Sequence, residues 1–230
     1  MLNIAIEQNE ISLQEAYPFS AWQMGPLFQI AQNGAAGSTH SLRDFLRIHS
    51  EIRVNCLSIL PLSILIERVH LYYRNHIGFH LRFSGEIHGE IFALLREDHA
   101  LMLLERALGP KSNDKRHPET DKLNPLEVTM LAELIQMISN SFRQELTEKT
   151  LFNWWITQPL RVSDVDHSLT YAAKIFNLDH HVIHLEYLIP ILELRIQFLL
   201  LPAASMLPKI LARLAPSQNR DDDAGTPGEP

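Results

Sequence analysis

The chain has 230 residues, 46% of them apolar, a net charge of −7 and a single cysteine, Cys56. The apolar share supports a sizeable folded core in one large domain or two small ones. The acidic balance, with no basic cluster, argues against nucleic acid or an anionic membrane as a partner. One cysteine excludes an internal disulfide framework and suits a reducing, cytoplasmic setting. The N-terminus lacks a basic stretch followed by an apolar run, so no signal peptide is expected. Apolar runs such as Phe198 to Leu201 are far too short to cross a bilayer.

In chain order, residues 1–22 read as a loosely structured lead. A helix pattern begins at Gln23, meets the small-residue stretch Gly34-Ala-Ala-Gly37, and resumes through Leu42, Phe45 and Leu46. Small residues inside a helix let a neighbour approach its backbone closely, at about 0.5–1 kcal/mol per glycine relative to alanine. Glu51 to Leu57 alternates polar and apolar residues and predicts a half-buried strand. Leu60 to Tyr73 fits either a short helix or a loop. Gly78 to Gly85 and His88 to Leu95 predict a hairpin that turns at Ser84 to Ile87. Asp98 is placed to cap a helix over His99 to Leu108, which Gly109-Pro110 ends. Residues 111–122 read as a polar linker.

The second half opens with the longest predicted helix, Pro125 to Glu148. Asn124 is its expected cap and Pro125 its first residue. Leu126, Met130, Leu134, Met137 and Ile138 supply an apolar face. Glu133 and Gln136, three residues apart, point together off that face. Phe152 to Val162 follows, in which one of Trp154 and Trp155 is expected in the core and the other outside. Strands are predicted at His181 to Leu188 and Ile191 to Leu201, then a helix over Ala203 to Leu214. The tail, 215–230, reads as disordered. His180, His181 and His184 lack a matching carboxylate or cysteine set, so no metal site is predicted.

The two halves repeat. Gln136 lies 104 residues after Gln32, and at that offset Leu81 meets Leu185, Phe83 meets Tyr187 and Ala100 meets Ala204. A fixed offset is what an internal duplication leaves behind. The expected architecture is an α+β domain over 23–214, with repeats at about 23–110 and 123–214. Two helix–strand–hairpin–helix units would share one antiparallel sheet with pseudo-twofold symmetry, the helices packed on one side.

Thr129, Glu133, Gln136 and Pro159, with twenty-two residues between the last two, resemble the signature of the CheC/CheX/FliY family of chemotaxis phosphatases. That signature runs Asp or Ser, three residues, Glu, two residues, Asn, twenty-two residues, Pro. Gly25, Gln29, Gln32 and Asn55 hold the same spacing in the first half. The resemblance implies hydrolysis of the aspartyl phosphate of a phosphorylated, CheY-like response regulator, with magnesium supplied by that regulator and no cofactor of the protein's own. Glu133 would pair with a lysine of the regulator, and Gln136, where the family has Asn, would orient the attacking water. The degenerate first site, with Gln29 in place of the carboxylate beside Gln32, would be inactive. The same scaffold also implies an alternative: a non-catalytic adaptor or flagellar-switch-type module, or a partner of a CheD-like deamidase.

Overall fold

The computed structural model describes residues 21–47, 49–73, 75–109, 123–175 and 181–215. The lead before residue 21, the 111–122 linker and the tail beyond residue 215 lie outside the described residues, as does His180. The first half runs α1 (Ala21–Leu46), β1 (Arg53–Pro61), α2 (Leu62–Tyr72), β2 (His76–Gly85), β3 (Gly89–Arg96) and α3 (Glu97–Leu108). The second runs α4 (Pro125–Thr150), β4 (Trp154–Ile156), β5 (Leu160–Val162), α5 (Val165–Ile175), β6 (His181–Ile189), β7 (Leu194–Pro202) and α6 (Met206–Leu214). Element order is therefore the same in both halves, once β4 and β5 are taken as one interrupted strand. The interruption holds Pro159, which has no N–H to give to a ladder.

All seven strands form one antiparallel sheet in the order β1-β6-β7-β3-β2-β4, with β5 also on β2. The first strand of each half pairs with the hairpin of the other: Leu57 sits opposite Leu185, and Phe83 opposite Ile156. Neither half can complete its sheet alone.

One face of the sheet carries Phe79, Leu81, Ile91, Ala93, Leu185, Tyr187, Ile196 and Phe198, buried beneath α1, α3, α4 and α6. The other face carries Phe92, Leu94, Val182, Leu199 and Leu201, buried beneath α2 and α5. The one-sided packing expected from the sequence is thus corrected to helices on both faces. The physical reason is visible in β3 and β7, whose runs Ile91 to Leu95 and Phe198 to Leu201 are apolar at consecutive positions. Consecutive strand residues point to opposite faces, so such runs need cover on both. The ambiguous 60–73 segment ends β1 at Pro61 and then forms the helix α2. Helix α5 was not predicted at all. It reaches the sheet where β2 has a glycine: a Cβ on Gly78 would stand 2.7 Å from Val165 Cγ2.

Three smaller expectations also change. Arg96, not Asp98, occupies the N-cap of α3. Asp98 lies in the first turn, where its carboxylate accepts from its neighbour's backbone, His99 N–H, and pairs with Arg96. Leu126, expected on the apolar face of α4, is exposed. The buried stripe of that helix is Leu131, Leu134, Ile135, Ile138, Phe142 and Leu146. Trp154 is the core tryptophan, edge-on to Phe83, and Trp155 is exposed.

Helices α1 and α4 pack against each other at their backbones. A Cβ on Gly34 would stand 3.0 Å from Phe142 Cα, whereas one on Gly37 would meet only the Ser141 side chain at 3.8 Å. The pairs Asn33 with Glu145, Gly34 with Phe142 and Gly37 with Ser141 run in opposite senses, so the helices are antiparallel. Gly34→Ala should therefore destabilise the fold by about 1–3 kcal/mol, the usual cost of overpacking. Gly37→Ala should be neutral or stabilising by up to about 1 kcal/mol, because helix propensity is then the main change. Urea unfolding of the two variants beside the wild type measures the contrast.

Burial also sets a pH dependence. Burial, helped by the nearby Arg96 charge, pushes the His76 imidazole down from 6.5 to about 4. Burial lowers His184 as well. Both are harder to protonate in the folded chain than in the unfolded one. Their stabilising effect is full above pH 6.5 and is lost as pH falls toward the folded value, which for His76 is about 4. The urea midpoint should drop between pH 7 and pH 4.5, and His76→Gln should flatten part of that drop.

Candidate functional site

The rigidity of the candidate site begins at the start of α4. Asn124 Oδ1 accepts from Glu127 N–H at 3.0 Å, and Glu127 Oε2 accepts from Asn124 N–H at 2.9 Å. This reciprocal capping box, with Pro125 following, satisfies donors that a helix start leaves open. The sequence indicated Asn124 and Pro125 but not the role of Glu127. One turn on, the exposed Thr129 donates its hydroxyl to Pro125 O at 2.9 Å. Its side chain is therefore turned to its own helix.

Glu133 and Gln136 follow on the next two turns. Glu133 is exposed, and Gln136 is half-buried. The four carboxylates of α4 have different fates. Glu127 is in the capping box, Glu145 accepts from Asn33 Nδ2 at 3.1 Å, and Glu148 accepts from Gln144 Nε2 at 3.1 Å. Glu133 alone of the four has no hydrogen bond or ion pair among the described residues. It presents its carboxylate, without a partner among those residues, on a capped, packed helix.

Gln136 is held more tightly. Its Nε2 donates to Asn140 Oδ1 at 3.2 Å. Its Oε1 is shielded from solvent and has no hydrogen-bond partner among the described residues. The structure thus brings the predicted carboxylate and amide onto one helix face, with the amide folded back along that face. Pro159 lies half-buried in the break between β4 and β5. The adjoining Thr157 closes that break by donating its N–H to Arg82 O and accepting Arg82 N–H on Oγ1, both at 2.9 Å.

The first-half pair sits on α1. Gln29 and Gln32 are both exposed. Gln29 Nε2 donates to Asn33 Oδ1 at 2.9 Å, and Asn33 passes the chain of bonds on to Glu145 of α4. Asn55, which held the place of the signature proline, lies on β1, and its amide donates to the buried carboxylate of Glu186. That carboxylate also accepts from Gln197 Nε2 at 3.0 Å and faces Arg195 at 3.4 Å. Asn55 therefore serves the sheet. Among the described residues no three His, Cys, Asp or Glu side chains gather as metal ligands. No described helix is long and apolar enough to cross a membrane.

No protein-family model matches the sequence, and no curated protein matches it. Solved structures do. FliY of Thermotoga maritima superposes with a TM-score of 0.67 over 86% of this chain and 98% of its own, at 12% identity. FliM in a FliG–FliM complex from H. pylori gives 0.62 over 84% and 100%, at 12% identity. A FliM middle domain from Vibro alginolyticus gives 0.55 over 80% and 96%, at 13% identity. The chain has the CheC/CheX/FliY-like fold, an α+β architecture with one antiparallel sheet.

Proposed function

We propose that the protein binds a phosphorylated response regulator through the exposed face of α4 and hydrolyses its aspartyl phosphate. The observation that supports this most is Glu133, the α4 carboxylate without a partner among the described residues. A lysine of the regulator would pair with it. The reaction is attack of a water oxygen on phosphorus, with cleavage of the bond from phosphorus to the aspartyl oxygen. It yields inorganic phosphate and a free carboxylate. Magnesium belongs to the regulator and reaches the site with the substrate. Phosphoryl transfer of this kind depends mainly on positioning and charge, so a side-chain amide that holds the water in line can supply much of the rate. Gln136 is the residue for that role. Its bond to Asn140 has to open for the amide to turn outward.

That same bond favours a second reading, a non-catalytic adaptor or flagellar-switch-type module on this scaffold. A folded-back amide costs an interaction module nothing, and FliM, on a similar fold, is found in complex with FliG.

The two readings separate on three variants, assayed with the phosphorylated receiver domains of the source organism. Glu133→Ala should weaken binding by about 2–5 kcal/mol if the ion pair is desolvated, and by less than about 1 kcal/mol if it stays wet. Gln136→Ala should leave binding nearly unchanged and lower the single-turnover rate by about 100-fold, the scale of a misplaced reacting group. Gln136→Asn should keep or raise the rate. Rates equal to wild type in both Gln136 variants, with binding intact, would establish the adaptor.

A further inference from the structure

The first-half site lacks a carboxylate on its own helix, but the fold brings one to it from the other helix. Glu145 of α4 is half-buried and lies against α1, where Asn33 Nδ2 donates to its Oε2 at 3.1 Å. Asn33 in turn accepts from Gln29 Nε2 at 2.9 Å. The two amides and the carboxylate form a directed chain in which each NH2 donates toward the charge. That chain fixes one carboxylate oxygen, and a fixed acceptor loses less side-chain entropy when a partner binds. No cation neutralises Glu145 among the described residues. Gln32, one position before Asn33, is exposed beside it.

We propose that Glu145, held by Asn33 and Gln29 across the α1–α4 seam, is a second docking point for a basic side chain of the partner protein. The inference rests on the regulator-binding reading above. It assigns this site recognition without hydrolysis. Glu133 and Glu145 lie twelve residues apart on one helix, about 18 Å along its axis and about a third of a turn around it, so a partner that reaches both must straddle the α1–α4 seam. Two separated acidic contacts on one rigid element would fix the orientation of a partner that a single ion pair would leave free to swivel.

The test uses the full chain and beryllofluoride-activated receiver domains of the source organism, with affinity measured at low and at high salt. Glu145→Gln is the informative variant, because its amide oxygen still accepts from Asn33 while the charge is gone. The expected result is an unchanged thermal midpoint and affinity roughly 3-fold weaker at low salt, the scale of a partly exposed ion pair, with the difference shrinking at high salt. Glu133→Gln with Glu145→Gln should weaken binding further than either alone. A Glu145→Gln protein that binds like wild type at low salt, while Glu133→Gln does not, would overturn this second docking point and leave the Glu133 reading standing. Binding unaffected by all three variants would overturn both. So would a wild-type chain that binds no activated receiver.

Discussion

The contact on which the rest of the structure depends is the backbone approach of α1 to α4 at Gly34 and Phe142. It sets how α4 lies over the sheet and therefore where Glu133 and Gln136 face. It also brings Asn33 within bonding distance of Glu145. A larger residue at position 34 would push the helices apart, and the directed amide chain would be stretched with them. The same two helices roof the larger of the two apolar clusters, so core packing and surface chemistry share one geometric constraint.

The exchanged strands supply the second constraint. Since β1 completes the sheet beside β6, and β4 and β5 complete it beside β2, neither half holds all the strands of its part of the sheet. Helices from both halves are thereby held over a common sheet face. A surface built across α1 and α4 can be rigid for that reason, even though its residues are more than a hundred positions apart in the chain.

Much of this was legible in the sequence. The β2–β3 hairpin, the cap at Asn124 and the length of α4 follow from local pattern, and the 104-residue offset anticipated the repeated element order. Helix α5 had a local signal of its own: Val165, Leu169 and Ala172 recur at helical spacing and are buried together, and Asp164 Oδ1 accepts from His167 N–H at the helix start. Its place against the sheet is set by the gap that Gly78 leaves on β2. What was missed elsewhere was non-local. The uninterrupted apolar run of β3 was the available signal that both faces of the sheet were covered. Leu126 lies off the side of α4 that meets the core, where its neighbour Glu127 is buried instead, and it ends exposed. Glu133 and Gln136 could be found because their spacing is local. Glu145 could not, because its partner Asn33 is 112 residues away and no period in the chain connects them.

In the proposed function, Glu133, a carboxylate without a partner among the described residues, and the nearby amide of Gln136 act together on an aspartyl phosphate. The most direct measurement is the lifetime of the phosphoryl group on the source organism's receiver domains, with and without the wild-type chain. The lifetime should be shorter, and should depend on the concentration of the chain, for at least one receiver. A receiver that forms a stable complex with the chain and loses its phosphoryl group no faster than it does alone would contradict the proposed function.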